Sequence, residues 1–453
     1  MKNKKINIIT LGCSKNVVDS EKLLKQIRSG GFEIMHNSDD YSAGTVLINT
    51  CGFISDAREE SIDTILKYVR ARESGKINNL YVMGCLSERY FDDLKTEIPG
   101  VKRYFGVNNI NDILDELGIR FREDLRNQRE IYGPGHYAYL KISEGCDRSC
   151  AFCAIPAIRG KYVSRPLEEL VNEARYLADS GVKELILIAQ DLSYYGLDLY
   201  KSQKLPALVT ELLKIDSFEW IRLHYLYPAN FPMELIPIIR ENPRICRYID
   251  IPIQHISDKM LGLMKRSHNR SETYSVLNKL REGIPGSVIR TTLIVGHPGE
   301  TEDDFNELME FVREFRFDRL GIFSYSHEED TFSYNNYIDD VPEDVKESRV
   351  SAIMELQQEI SSELNEKLKG KVLKVLIDRR EGEFFAGRTE YDSPEVDQEV
   401  LIPAEHDLKP GNFYQVLITQ SAEFDLFGVP IASTESGPRH EIPQSGRGQS
   451  VSR

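Results

Sequence analysis

The spacing of the cysteines constrains this sequence more than any other feature. The chain has seven cysteines, and three of them stand in the segment GCDRSCAFCAIP with the spacing CxxxCxxC, at Cys146, Cys150 and Cys153. The start MKNKKINIITLG does not read as a secretory leader, and an odd number of thiols argues against a disulfide framework. We therefore expect a cytoplasmic protein whose cysteines serve metal or redox chemistry.

Three further cysteines occupy equivalent places in a repeated pattern. Cys13, Cys51 and Cys85 each follow a short β-branched or aromatic run, and each has a glycine beside it. Amphipathic helical stretches over residues 18–29 and 57–72 separate these runs, so strands and helices alternate. This order predicts a parallel sheet whose carboxyl edge would collect the three thiols. The alternative is that each is a small buried apolar residue, the usual fate of a free cysteine.

The tight group of cysteines points to a metal cluster. Three thiolates at this density select zinc or iron and sulfur. A structural zinc ion would need a fourth ligand, and none is in view near Cys146, Cys150 and Cys153. Three ligands on a 4Fe-4S cluster would instead leave one iron open to a substrate or cofactor. A structural zinc site or an idle group of thiols is the alternative, and Cys246 is expected to be a packing residue.

From Tyr137 onward, strand and helix patterns alternate again. The strand-like runs include 137–142, 184–189 and 220–225, and the whole pattern predicts an incomplete (βα)6 barrel. Chemistry in such barrels lies at the carboxyl ends of the strands, where polar residues here include Gln190, Tyr225 and His255.

The segment VGHPGET follows the fifth predicted barrel strand. Gly296, Pro298 and Gly299 prevent a helix until Thr301, which together with Asp304 resembles a capped helix start. Backbone amides in this turn could hold the polar groups of a cofactor.

Charge and hydropathy exclude some classes of function. The formal net charge is −15, so a generic nucleic-acid binder is disfavoured, and the longest uncharged run, 41–55, is too short to span a membrane. A long charged helix over 343–369 precedes residues 371–433, which read as a small β-barrel with six basic and twelve acidic residues. The polar segment 434–453 is expected to be disordered.

Together, the motifs resemble the radical S-adenosylmethionine methylthiotransferases over nearly the whole chain. The resemblance rests on LGCSKN, NTCGFI, MGCL, SEGCDRSCAFCAIPAIRGKYVSRP and VGHPGET. It implies an N-terminal domain (1–130) with an auxiliary 4Fe-4S cluster on Cys13, Cys51 and Cys85. It also implies a radical S-adenosylmethionine domain (131–370), in which Cys146, Cys150 and Cys153 hold a separate 4Fe-4S cluster. A C-terminal TRAM barrel (371–433) would follow.

Two branches of this family differ in substrate. One modifies an adenosine of transfer RNA, and the other an aspartate of protein twelve of the small ribosomal subunit. LGCSKN, AQDLSYYG, HYLYP and DIPIQH are similar to the protein-modifying branch, whereas the RNA branch typically opens with a GCQMN-like motif. The acidic final barrel would attract a basic ribosomal protein. His297 is a departure, because the family more often carries an aromatic Phe there.

The resemblance also implies a mechanism and a cofactor pocket. The radical domain's cluster would donate one electron to S-adenosyl-L-methionine, and the resulting radical would take hydrogen from the aspartate β-carbon. The auxiliary cluster would then deliver the methylthio group. The expected cofactor contacts are Phe152, Ala154, Gln190, Gly296, Pro298 and Glu300, with Arg159 and Lys161 near the substrate.

Partners and rival functions complete these expectations. A flavodoxin-like protein is the expected electron donor, and nucleic acid is not the expected primary substrate. The rivals are a transfer-RNA adenosine methylthiotransferase and a non-catalytic, metal-binding RNA adaptor.

Overall fold

The computed structural model describes residues 4–431 and begins with a five-stranded parallel sheet of order β2-β1-β3-β4-β5. Its strands are β1 (Lys5–Thr10), β2 (Glu33–His36), β3 (Thr45–Thr50), β4 (Asn79–Gly84) and β5 (Arg103–Tyr104). Its helices are α1 (Ser14–Ser29), α2 (Ser55–Glu73), α3 (Cys85–Arg89), α4 (Phe91–Glu97) and α5 (Ile110–Glu116). The two faces of the sheet carry separate apolar layers because side chains alternate along each strand.

The central part of the chain is a six-stranded parallel sheet with β13 at one edge and β6 at the other, in the order β13-β12-β11-β10-β9-β6. Its strands are β6 (Tyr137–Lys141), β9 (Glu184–Ile188), β10 (Trp220–Leu223), β11 (Ile245–Asp250), β12 (Val288–Val295) and β13 (Arg319–Ser324). A small antiparallel pair, β7 (Ser143–Glu144) and β8 (Val163–Ser164), follows β6. The incomplete barrel expected from the sequence is confirmed.

Four short helices, α6 (Ile155–Arg159), α8 (Leu197–Tyr200), α11 (Asp258–Leu263) and α14 (Phe332–Asn336), lie outside the main apolar core of this part. The outer face of the barrel is covered by α7 (Leu167–Asp179), α9 (Leu205–Leu212), α10 (Leu235–Glu241), α12 (Arg270–Gly283), α13 (Glu302–Phe315) and α15 (Glu343–Glu366). The outward residues of the strands, such as Leu140 and Leu187, form one large apolar core with these helices. Thr301 caps α13 with a capping box to Asp304, as the VGHPGET segment predicts.

The last described segment closes into a five-stranded barrel of order β14-β15-β16-β18-β17. Its strands are β14 (Val372–Glu381), β15 (Phe384–Arg388), β16 (Val400–Pro403), β17 (Phe413–Ser421) and β18 (Leu426–Pro430). The tail 434–453 lies outside the described residues. Within residues 4–431, no helix is both long and apolar enough to cross a membrane.

The loop after β15 fills part of the larger barrel's interior. Arg222 of β10 donates to the Glu390 carbonyl at 2.8 Å, and Arg319 of β13 pairs with Asp392 at 2.6 Å. Asp397 accepts from the Tyr248 hydroxyl at 2.7 Å. Six of the twelve acidic side chains of the small barrel are exposed, and two others, Asp392 and Asp397, pair with arginines of the larger barrel, so part of the negative charge is neutralised within the chain.

A buried ionic cluster joins the first sheet unit to the central barrel. Glu173 of α7 is fully buried and lies 2.7 Å from Arg165, 3.2 Å from Arg129 and 3.2 Å from Lys22 of α1. Burial alone would raise the pKa of Glu173, but the three cations outweigh it and lower that pKa to about 2. The carboxylate is therefore ionised at neutral pH and ties the two units together.

Candidate active site

The three dispersed cysteines lie at one edge of the first sheet, as the sequence predicts. Strands β1, β3 and β4 are direct neighbours; Cys13 immediately precedes α1, Cys51 follows β3, and Cys85 opens α3. Gly12 has a φ of +84°, and a Cβ built on it would be 2.9 Å from the Cys51 sulfur. A glycine is therefore required for the chain to pass this close to the thiols.

The electrostatics of these thiols show that they share one environment. Burial raises the pKa of Cys85 to about 12, with Arg159 opposing the rise and the charges of Cys13 and Cys51 adding to it. Burial also acts to raise the pKa of Cys13, but Lys15 and Arg159 outweigh it, so that this pKa is lowered. Close thiols with cations beside them suit an anionic iron–sulfur cluster.

The CxxxCxxC loop is held by backbone contacts. The Cys146 amide donates to the Gly160 carbonyl at 3.1 Å, and a Cβ on Gly145 would come within 2.0 Å of the Lys161 carbonyl oxygen. Arg266 donates to the Cys150 sulfur at 3.2 Å. These contacts fix the loop and place a cation on one of its thiols.

All six thiols are free, and both donor sets fit a cluster that leaves one iron open. Each set supplies three sulfurs, and each has arginine or lysine beside it to offset the negative charge of thiolates. Among residues 4–431, no three histidine, cysteine, aspartate or glutamate side chains are arranged to hold a single metal ion.

Helix α6 connects the two thiol sites directly. It begins two residues after Cys153, and Ala154 and Ile158 pack with Cys85 and Val107 in one small apolar cluster. The segment that follows the CxxxCxxC loop therefore packs directly against Cys85, one of the three thiols at the edge of the N-terminal sheet.

Arg159, at the end of α6, is enclosed in this interface. Its guanidinium donates to Asn16 Oδ1 at 2.7 Å, to Glu144 Oε1 at 2.9 Å and to Asp19 Oδ2 at 3.3 Å. Lys141 pairs with the same two carboxylates. The bonds of Arg159 are therefore made within the chain, whereas Lys161, the other residue expected near substrate, is exposed.

The residues expected to contact the cofactor lie around the barrel mouth. Phe152 and Ala154 flank Cys153, Gln190 follows β9, and Gly296 and Pro298 form the turn after β12. These positions all lie near the carboxyl ends of barrel strands, where ligands bind in such folds.

Glu300 holds the turn after β12 in place. Its carboxylate accepts the Gly296 amide at 2.5 Å and pairs with Arg349 at 3.1 Å. Burial raises the pKa of Glu300 to about 7 against the opposing effect of Arg349. Glu300 thus already has partners within the chain.

His297 links this turn to the cysteine loop. Its Nε2 lies 2.9 Å from the Ser333 hydroxyl, and the Ser333 amide donates to the Ala151 carbonyl at 2.7 Å. Burial lowers the pKa of His297 to about 4, so the ring is neutral. A phenylalanine could not make the bond to Ser333, so the departure from the family pattern has a local structural role here.

Sequence reasoning missed several polar residues of the site. Arg148 pairs with Asp191 at 2.8 Å, and the guanidinium carbons of Arg148 and Arg266 lie 4.0 Å and 4.2 Å from the centre of the Tyr227 ring. Lys15 is buried beside Cys13. Lys15 and Arg148 each stand two residues after a predicted cysteine ligand, and this was the available signal in the sequence. The residues that they contact, Tyr225 and Asp191, come from distant segments.

Three protein-family models match successive parts of the chain. Residues 5–106 match an uncharacterised family, UPF0004, residues 140–312 match the radical SAM superfamily, and residues 370–431 match the TRAM domain. Among solved structures, the chain is similar to the radical S-adenosylmethionine methyltransferase TsrM of Kitasatospora setae, with a TM-score of 0.52 and 15% identity over 70% of this chain and 72% of that one. At that identity the likeness shows the fold alone. The matches define the class: a radical S-adenosylmethionine enzyme.

Curated relatives narrow the class. The chain is 54% identical to the ribosomal protein uS12 methylthiotransferase RimO of Bacteroides fragilis, over 94% of this chain and 99% of that protein. It is 53% identical to the RimO of Flavobacterium psychrophilum over 95% and 99% of the two chains. The chain belongs to the RimO family of methylthiotransferases.

Proposed function

We propose that this protein adds a methylthio group to the β-carbon of an aspartate in ribosomal protein uS12. The observation that carries the proposal is the packing of α6 against Cys85, because it joins one three-thiol site to the other across a buried interface. The high identity to RimO proteins over nearly the full chain supports the choice of uS12.

Each three-thiol site would hold one 4Fe-4S cluster in this proposal. Cys146, Cys150 and Cys153 would hold the cluster that binds S-adenosyl-L-methionine, and the auxiliary cluster would be held by Cys13, Cys51 and Cys85. When bound, these groups supply the one-electron chemistry needed to replace an unactivated carbon–hydrogen bond by a carbon–sulfur bond, which acid–base side chains cannot achieve.

The chain's own residues position these groups and exclude water. Ala154 and Ile158 form a dry contact beside Cys85. Arg159 binds Asn16 in the first turn of α1 and Asp19 in the second, and the first turn follows Cys13 directly. A shift of the turn would move a ligand of one cluster relative to the other, and small displacements of reacting groups are costly in rate.

The cofactor pocket would be formed by Phe152, Ala154, Gln190, Gly296 and Pro298, with Glu300 holding the Gly296 turn. The position of these residues near the carboxyl ends of the barrel strands supports this assignment; Phe152 and Gln190 are partly exposed there, whereas Ala154, Gly296 and Pro298 are buried. Residues 1–130, 131–370 and 371–433 would act as the methylthiotransferase, radical and TRAM domains. We further propose a cytoplasmic enzyme that takes electrons from a flavodoxin-like protein.

The choice of substrate is tested by offering uS12 and transfer RNA to the protein in the same reaction. Anaerobically reconstituted protein is incubated with S-adenosyl-L-methionine, a reductant, purified uS12 and transfer RNA. Mass spectrometry is expected to find a methylthiolated aspartate in uS12 and unmodified transfer RNA. Methylthiolated adenosine with unmodified uS12 would overturn the proposal in favour of the RNA branch.

The metal content separates the enzyme from a non-catalytic adaptor. Anaerobically purified protein is expected to hold about eight iron atoms per chain when both clusters are filled. About two zinc atoms and no cleavage of S-adenosyl-L-methionine under reducing conditions would contradict the proposal.

A further inference from the structure

Lys15 places a buried ammonium group between the two halves of the site. It lies in the first turn of α1, two residues after Cys13, and only 6% of the residue is exposed. Its Nζ is 4.0 Å from the centre of the Tyr225 ring. Tyr225 follows β10 at the barrel mouth and has a left-handed φ of 61°. A cation carried by the first sheet unit therefore lies over the carboxyl ends of the barrel strands.

The carboxylates around Lys15 are already paired with other cations. Glu144 binds Lys141 at 2.6 Å and Arg159 at 2.9 Å. Asp250 pairs with Arg290 at 3.2 Å and accepts the Tyr225 amide at 2.9 Å. Within residues 4–431, no salt bridge of 4.0 Å or less is formed by Lys15.

Apart from the Cys13 thiol two residues away, Lys15 has no paired acidic group in the described part of the chain, and contact with one aromatic face offsets only part of the cost of burying its ammonium group. An anionic ligand that binds beside such a group would offset the cost of its burial, so the group favours binding of an anion at this place. Other α1 lysines differ in this respect: Lys22 lies 3.2 Å from Glu173, and Lys25 donates to the Tyr176 hydroxyl at 3.1 Å.

We propose that Lys15 is a specificity-determining residue that binds the side-chain carboxylate of the substrate aspartate. The inference rests on the proposed function, because it takes the substrate to be an aspartate. A carboxylate paired with Lys15 would lie next to a ligand of the auxiliary cluster and above the barrel mouth. An asparagine at the same place would leave the ammonium unpaired, so the site would reject it.

The test compares K15Q with wild type on two peptides. Both peptides carry the uS12 loop, one with the target aspartate and the other with asparagine in its place. Wild type is expected to prefer the aspartate peptide by roughly 30-fold or more in kcat/KM, the usual effect of leaving a buried charge unpaired. K15Q is expected to lose most of that preference, and K15R to restore part of it.

K25Q is the matched control, because Lys25 is on the same helix and also lies near a tyrosine ring, Tyr176, at 5.4 Å. It is expected to keep the wild-type preference. Iron and sulfide content and the electron paramagnetic resonance spectrum of reduced K15Q are expected to match those of wild type.

Four results would overturn the proposal. Unchanged aspartate preference in K15Q would show that Lys15 does not read the substrate. Loss of iron or an altered cluster spectrum would assign Lys15 to the auxiliary cluster, and weakened binding of S-adenosyl-L-methionine would assign it to the cofactor. Wild type that modifies neither peptide nor intact uS12 would refute the proposed function itself, and the role of Lys15 with it.

Discussion

The substitution R159M tests whether the interface between the thiol sites is held by one buried guanidinium. Arg159 has 1% of its side chain exposed and binds two carboxylates, Glu144 and Asp19, and the amide of Asn16. Removing one partner of a buried ion pair costs about 3–5 kcal/mol. Lys141 still pairs with both carboxylates in R159M. We therefore expect a smaller loss, about 2–3 kcal/mol, in the free energy needed to open this interface.

Hydrogen exchange followed by mass spectrometry measures this opening directly. Peptides that cover the first turn of α1 and residues 141–146 are expected to lose protection by roughly 30- to 150-fold in R159M, since about 1.4 kcal/mol corresponds to a factor of ten. R126M is the control, because Arg126 forms only an exposed pair with Glu123, 54% and 70% exposed. Unchanged protection in R159M, or an equal loss in R126M, would refute the reasoning.

Other substitutions test separate parts of the molecule. C150A is expected to abolish cleavage of S-adenosyl-L-methionine to 5′-deoxyadenosine, which chromatography measures. C51A is expected to spare this cleavage and to stop sulfur insertion. Equal loss of both reactions in C51A would mean that the two sites are not separable. The ion pairs of Glu173 hold its folded pKa near 2, below the ordinary 4.5, so their stabilisation of about 3 kcal/mol is present above pH 4.5 and is lost as the pH falls towards 2. Urea unfolding at several pH values should show this loss in wild type and not in E173Q, and the same acid dependence in both proteins would contradict the assignment.

The sequence predicted the main elements of the fold because their patterns are local. Alternating apolar runs and helices identify both parallel sheets, and Thr301 and Asp304 mark the start of α13. The edge strands β2 and β5 were not predicted, because they are short and carry few apolar residues. Their pairing depends on neighbours in the sheet rather than on their own composition.

The thiols of the site were predictable, but their surroundings were not. Cysteines at strand ends share an edge by topology alone. The pairing of Arg159 with Asp19 and the contact of Lys15 with Tyr225 join segments far apart in the chain, so no spacing rule reveals them. The sequence alone suggested that the acidic residues of the final barrel face a basic partner. In the structure, acidic residues such as Asp392 instead pair with arginines of the larger barrel.

Transfer of a deuterium label tests the central claim most directly. uS12 is prepared with aspartate deuterated at the β-carbon and is incubated anaerobically with the reconstituted protein, S-adenosyl-L-methionine and a reductant. We expect deuterium in the 5′-deoxyadenosine formed, together with a methylthio group on the target aspartate. Methylthiolated uS12 accompanied by unlabelled 5′-deoxyadenosine, or labelled uS12 left unmodified while 5′-deoxyadenosine accumulates, would contradict the account.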